Sequence, residues 1–327
     1  MSWLVRHLRN SSLLQQLKTR QKEIARIFWV ILVVIAVIFI LYKAVVDWKQ
    51  IQNVQWRFHP RSLLVSFGVH SISLLLTACC WALIMGRISG VKTFWEHVRI
   101  FCLTNLSQRL PTLFPYLAAR TEAYVALGVP REITLTAMAI EVAVTLLSAT
   151  LVTGLTLLLG VFSLKGYLGL LLSGLLLAPM MLILFPQRFL IVVNKSLIYL
   201  KRPPIGNVIN VCHTASWTGL FMIIWLNSGV LYYFLISGLC EIPPEEIPFL
   251  ISVSAVSGLA GWLGQLIFLP TPAVRQLALA YLISLGFPMP IAIAFALFAR
   301  VCVMIFELIW AGVWTIVPRR ITLSHHR

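Results

Sequence analysis

The chain reads as an all-α integral membrane protein with about six full transmembrane helices and two re-entrant helical hairpins arranged as an inverted repeat. Three observations predict this. The 327 residues are 60% hydrophobic and only 11% charged, a balance that makes lipid the solvent over most of the length. Several apolar runs reach the roughly 20 residues that a helix needs to cross about 30 Å of hydrocarbon. Two further apolar stretches, 92–128 and 246–286, are broken in the middle and carry the same order of punctuating residues.

The elements follow in order. Residues 1–26 form a cytoplasmic or interfacial segment in which Trp3, Leu4, Leu8, Leu13, Leu14 and Leu17 are interleaved with basic residues. An interfacial helix and a solvated tail both fit that pattern. The run 27–46 is longer than the ~7 to 15 apolar residues of a signal core and follows a long charged lead, so it reads as a retained first span. Spans then follow at 63–85, 132–160, 167–185, 213–236 and 290–317, giving one polytopic membrane domain over 27–317 and a basic cytoplasmic tail over 318–327.

Charge sets the orientation. Arg6, Arg9, Lys18, Arg20, Lys22 and Arg26 precede the first span, while Arg188, Lys195, Lys201 and Arg202 follow the fourth. The positive-inside rule makes both segments cytoplasmic. The connection 237–249 holds Glu241, Glu245 and Glu246 without a Lys or Arg, and reads as external; Arg319, Arg320 and Arg327 return the end of the chain to the cytoplasm. Lys49, Arg57 and Arg61 dissent, being on the outer side. This topology belongs to a cell (plasma or inner) membrane and requires each broken segment to enter and leave by one face. The second legs, Leu117–Gly128 and Ala273–Leu285, are helices of about 18 to 20 Å at ~1.5 Å per residue, too short to cross. An alternative reading makes 246–269 a full span and puts Arg319 and Arg320 outside.

The broken segments read "LPTLFPYLAARTEAYVALGVP" from Leu110 and "LPTPAVRQLALAYLISLGFP" from Leu269. Each runs Leu-Pro-Thr, a second proline, an arginine (Arg120, Arg275), an apolar leg, and a closing Leu-Gly-x-Pro with Gly128 and Pro130 or Gly286 and Pro288. Proline breaks a helix and removes a donor, so each Leu-Pro-Thr marks a hairpin tip. A helix that starts at that depth presents unpaired N–H groups, which suit an anion. Thr112 and Thr271 are placed to cap these helices or to donate to a ligand. Oppositely oriented broken helices are the arrangement by which many transporters build a substrate site at the bilayer midplane.

Arg109, Arg120, Glu122, Glu141, Arg275, Arg300 and Glu307 all fall at membrane depth. Charges there cost at least ~2.5 to 3.5 kcal/mol each, so they are expected to face one another or a wet cavity. Arg300 and Glu307 share one face of the last span, about 10 Å apart along its axis. Glu141 lies in line with Thr134, Thr145, Ser148 and Thr156. Shorter polar stripes comprise Ser66, His70, Ser73 and Thr77 on the second span and His213, Ser216 and Asn227 on the fifth. The arginines outnumber the glutamates, and a slightly cationic cavity open toward lipid favours a phosphate headgroup.

The stretch "QRLPTLFPYLAARTEAYVALGVPREITLTAMAIEVAVTLL" from Gln108, and the stretch from Gly258 to Glu307, resemble the two signatures of the lysylphosphatidylglycerol synthase transmembrane-region family, flippase-like integral membrane proteins. The resemblance covers about a third of the chain. "PTPAVRQ" lacks the family's turn glycine, and Gln276 stands where glutamate is usual. The resemblance implies handling of a phospholipid or lipid-linked saccharide and carries Arg275 over as a candidate headgroup contact. It does not imply aminoacyl transfer, because a soluble synthase domain is not expected in this chain.

The expected function is a lipid flippase or transporter, with Arg120, Arg275, Glu141, Arg300, Glu307, Arg109, Thr112 and Thr271 as candidate substrate contacts. A membrane enzyme acting on a lipid phosphate is the alternative, together with a non-catalytic membrane partner of a neighbouring lipid or glycan enzyme. No catalytic motif, metal-ligand spacing or nucleotide-binding loop is visible, so no cofactor or metal is expected. The six cysteines sit in or beside apolar runs as small hydrophobic residues. The net charge of +16 lies mostly at span ends, where lipid headgroups account for it and no nucleic acid is needed.

Overall fold

The computed structural model describes residues 58–91, 93–109, 113–159, 186–199, 204, 209–266 and 271–316. Segment 1–26, the spans expected at 27–46 and 167–185, Thr112, the tail 318–327, and the side chains of Arg109 and Thr271 lie outside the described residues. Within them all regular structure is helical: α1 (Pro60–Ser89), α2 (Phe94–Asn105), α3 (Leu113–Val125), α4 (Arg131–Leu158), α5 (Pro186–Tyr199), α6 (Val211–Ser237), α7 (Ile247–Leu266), α8 (Thr271–Ile283) and α9 (Met289–Ile316). Short 3-10 turns, Leu106–Arg109 and Pro244–Glu246, follow α2 and precede α7.

Among the described residues, five segments are long and apolar enough to cross a membrane: Pro60–Ser89, Arg131–Leu158, Val211–Ser237, Pro244–Gly264 and Met289–Ile316. This is the architecture of a multi-pass membrane protein. The spans expected at 63–85, 132–160, 213–236 and 290–317 correspond to four of them. The fifth is the first leg of the second broken segment, which the sequence reading placed in a hairpin. Its 20 residues make a helix of about 30 Å. By contrast α2, α3 and α8, with 12, 13 and 13 residues, reach only about 18 to 20 Å.

Local sequence explains the boundaries. Proline occupies the first turn of α1, where no N–H partner is lost, and α1 ends at Gly90 with φ 72°. Helix α3 ends in a Schellman motif: Gly128 has φ 79°, its N–H donates to Val125 O at 2.9 Å, and Val129 N–H donates to Tyr124 O at 3.1 Å. Asn210 caps α6 by accepting from His213 N–H, with the His213 ring accepting in return from Asn210 N–H.

Both broken segments fold back on themselves. In the first, Tyr124 near the end of α3 meets His97 near the start of α2, while Arg120 meets Thr104. In the second, a Cβ at Gly264 would lie 2.9 Å from Val274, and one at Gly286 would lie 3.2 Å from Phe249. The two legs therefore run antiparallel and pack closely where glycine removes the side chain.

The helices form two quartets, α1–α4 and α6–α9, with matching neighbours. Helix α1 packs on α2 as α6 does on α7, α2 on α3 as α7 on α8, and α3 on α4 as α8 on α9; across the quartets, α2 packs on α9 as α7 does on α4. Helices α1 and α6 run antiparallel: His59 N–H donates to Gly238 O at 3.1 Å, Asn227 Nδ2 to Val69 O at 2.8 Å, and Cys80 Sγ approaches Trp217 O. Val69 and Asn227 are 158 residues apart, as are Gly128 and Gly286. The same shift converts the contact of Phe67 with Phe306 into that of Trp225 with Ser148. It also converts the His59–Gly238 contact into the one between Cys80 and Trp217. The quartets thus repeat each other's contacts, with Val69 and Asn227 meeting at the centre of the exchange.

Helix α9 shows how the apolar sequence divides. Ala292, Phe295, Ala296, Ala299, Cys302 and Phe306 are buried, while Leu297, Val301, Ile305 and Leu308 form an exposed stripe at the spacing of one helix face. In a membrane protein that stripe is a lipid-facing surface.

Candidate functional site

A cavity of about 210 Å³ lies among the two quartets. Gln108, on the 3-10 turn just before the first break, and Arg275 and Gln276, just after the second break, line it together. Glu141 of α4 and Arg300 and Glu307 of α9 contribute to the same wall. Both broken segments and both closing long helices therefore converge on one chamber.

Arg275 is the fifth residue of α8. Its Nη2 donates to Tyr232 Oη at 3.3 Å, and among the described residues no carboxylate pairs with it. Tyr232 is held edge-on against Phe295, with ring centres 5.6 Å apart. Beside Arg275, the buried Oε1 of Gln276 has no hydrogen-bond donor among the described residues. Arg300 and Glu307 share the cavity, as their spacing on one helix face predicts. Asn105 Nδ2 donates to Glu307 Oε1 at 3.0 Å and ties α2 to α9.

Arg120 does not contribute to the cavity wall, which corrects its expected role as a headgroup contact. Its side chain is fully buried, and its guanidinium lies 4.3 Å from the Trp81 ring centre, 4.7 Å from Phe101 and 4.5 Å from Tyr116. Nη1 donates to Glu141 Oε2 at 2.7 Å, the same oxygen that accepts from Tyr116 Oη at 3.1 Å. The reason is register. Nine residues separate Pro111 from Arg120 but five separate Pro270 from Arg275, so Arg120 stands about one helical turn farther from its break. That extra turn carries it into the packing between α1, α2 and α4. Glu141 is thereby shared, with one oxygen in the ion pair and the residue itself on the cavity wall.

Other expected positions divide similarly. Glu122 is away from the cavity, in an exposed pair with Arg131 across the Gly128 turn at 2.6 Å. On α4, Thr145 donates to Glu141 O, Ser148 to Thr145 O and Thr156 to Thr153 O, so most of that polar stripe satisfies itself within the helix. Ser148 also accepts from Trp225 Nε1 at 3.1 Å. On α1, His70, Ser73 and Thr77 line the cavity, and Ser73 Oγ accepts from Asn227 Nδ2 at 2.6 Å. His213 is spent on capping α6.

Sequence reasoning did not single out Asn105, Tyr232, Trp225 or Trp262, all of which line the cavity. Only the amides carried a usable signal: Asn105 and Gln108 stand in the short polar stretch that leads into the first Leu-Pro-Thr. Compared with known proteins, the chain matches no family model and no curated protein.

Proposed function

We propose that this chain is a lipid flippase, moving a phospholipid or a polyprenyl-phosphate-linked substrate across a cell membrane. The observation that carries the reading is the convergence of both broken segments on one chamber, where Arg275 presents a guanidinium with no carboxylate partner among the described residues. A planar fork of N–H donors is suited to the oxygens of a phosphate. The chamber's 210 Å³ is below the ~300 to 1,000 Å³ of sites that enclose whole drug-sized ligands. It suits a headgroup whose acyl or prenyl tails stay in the bilayer. The motif resemblance to flippase-like membrane proteins points the same way.

In this reading six spans and two re-entrant hairpins form an inverted repeat, with both termini cytoplasmic. The antiparallel course of α1 and α6 and the repeated contacts of the quartets support it. Alternating access then comes from rocking one quartet against the other about the Val69–Asn227 contact, as inverted repeats do in other transporters. The 20-residue α7 dips deeper than α2, and its return through α8 brings Phe287 back to Phe249, with ring centres 6.5 Å apart. That contact favours a hairpin over a crossing span.

Two experiments test the proposal. Vesicles containing the purified full chain should move acyl-labelled anionic phospholipid or polyprenyl phosphate between leaflets faster than protein-free vesicles; equal rates for both would refute transport. Single cysteines at Glu241 and at Ser324 should react with an impermeant reagent from opposite sides. Labelling from one side would sink the second hairpin.

A further inference from the structure

We infer that the chamber selects headgroups that carry hydrogen-bond donors, hydroxyl or ammonium, beside their phosphate, and that Glu141 and Gln276 receive those donors. The inference rests on the flippase reading and specifies its substrate.

A bare phosphate offers only negative charge and acceptor oxygens to a binding wall, apart from any proton it retains. Arg275 answers that chemistry, but two other groups on the same wall oppose it. Glu141 accepts both of its donors, Arg120 Nη1 and Tyr116 Oη, on Oε2. Its Oε1 has no partner among the described residues and is not sealed from the cavity that the residue lines. Gln276 Oε1, on the residue next to Arg275, has no donor among the described residues and is sealed from water in this conformation, so it meets a ligand donor by turning its amide toward the chamber that the residue lines.

An ion-paired carboxylate and an amide oxygen both require N–H or O–H groups from whatever fills the chamber. A ligand lacking them leaves a desolvated acceptor facing its own phosphate, which weakens binding by about tenfold for each unmet acceptor. The Arg120–Glu141 pair makes the device rigid. Three aromatic faces fix the guanidinium, the guanidinium fixes Oε2, and the carboxylate plane then fixes where Oε1 points. Arg120 is thus a positioning residue for Glu141.

The test uses the full chain in vesicles and compares transfer within pairs of acyl- or prenyl-labelled probes of equal charge. The pairs are phosphatidylglycerol against phosphatidylmethanol, phosphatidylethanolamine against phosphatidylcholine, and a polyprenyl phosphohexose against the polyprenyl methyl phosphate. The donor-bearing member should move about tenfold faster in at least one pair. The first and third pairs read hydroxyl donors, on a glycerol or a sugar; the second reads ammonium.

Gln276→Leu should bring the favoured pair's ratio toward one by slowing its donor-bearing member. This substitution removes no ion pair, so it isolates the subsite from folding; Glu141→Gln serves as the second variant. Ratios within twofold in every pair would overturn the inference while leaving transport intact. Ratios unchanged in both variants would overturn the assignment of these residues. Transfer of no probe at all would instead remove the flippase reading, and the inference with it.

Discussion

The two hairpins share a motif yet use their arginines in opposite ways. Arg120 is sealed among Trp81, Phe101 and Tyr116 and paired with Glu141. Arg275 stands on the chamber wall, where its hydrogen-bond partner among the described residues is the Tyr232 hydroxyl. The closing turns diverge too. Gly128 is required for its left-handed backbone, whereas Gly286 takes no such conformation and is instead crowded by Phe249, to which a Cβ would approach within 3.2 Å. The two hairpins thus divide in structure: Arg120 braces the bundle from inside, while Arg275 stands on the chamber wall.

If that division is right, substitutions in the first hairpin act on stability and those at Arg275 on function. The largest effect should come from Glu141→Ala, which strands Arg120 as a buried charge. Loss of about 3 to 5 kcal/mol is expected for breaking such a pair from one side, read as a lower unfolding midpoint in detergent. Replacing both members, as Arg120→Met with Glu141→Leu, should recover much of it.

Next comes Tyr124→Phe. Trp81 Nε1 donates to Tyr124 Oη at 2.8 Å, and His97 Nδ1 lies 2.9 Å from the same oxygen, so the variant leaves a buried indole N–H orphaned. A cost of about 1 to 3 kcal/mol is expected, visible in the same melt.

Gly264→Ala comes next: the new Cβ would lie 2.9 Å from a Val274 methyl and 3.1 Å from its Cβ, on a β-branched side chain that cannot swing away. About 1 kcal/mol of overpacking is expected, with the legs of the second hairpin forced slightly apart. Arg275→Ala should change stability least, by under about 1 kcal/mol, since it loses one hydrogen bond between partly buried partners. An Arg275→Ala melt as damaged as that of Glu141→Ala would erase the distinction between the hairpins.

Much of the frame was legible in the sequence. Apolar length announced four of the five long helices found among the described residues, and the two proline-bearing segments announced where the described helices on either side fold back on each other. That Arg300 and Glu307 line one wall followed from helical periodicity alone. The fate of Arg120 did not. It depended on how far α3 runs before reaching that residue and on a partner, Glu141, carried by another helix, and a repeat motif conceals such differences in register. The partner of Glu122 was hidden for a related reason: the Gly128 turn brings Arg131 to it, a contact between loop-linked helix ends that hydropathy does not register. The polar stripe of α4 looked like a site but is largely hydroxyls bonding to their own helix, which a helical projection cannot distinguish from ligand contacts. The meeting of Val69 with Asn227 had no sequence signal, since it joins a backbone carbonyl to a side chain in a different quartet.

Central to the account is that Arg275 holds the phosphate of a lipid crossing between the quartets. The direct measurement is transfer of a probe that the native chain moves, in vesicles loaded with equal amounts of folded native or Arg275→Ala chain. Loss of a charge-assisted contact should slow transfer by roughly 10- to 100-fold, with stability lowered by less than about 1 kcal/mol. Transfer at the native rate would contradict the account.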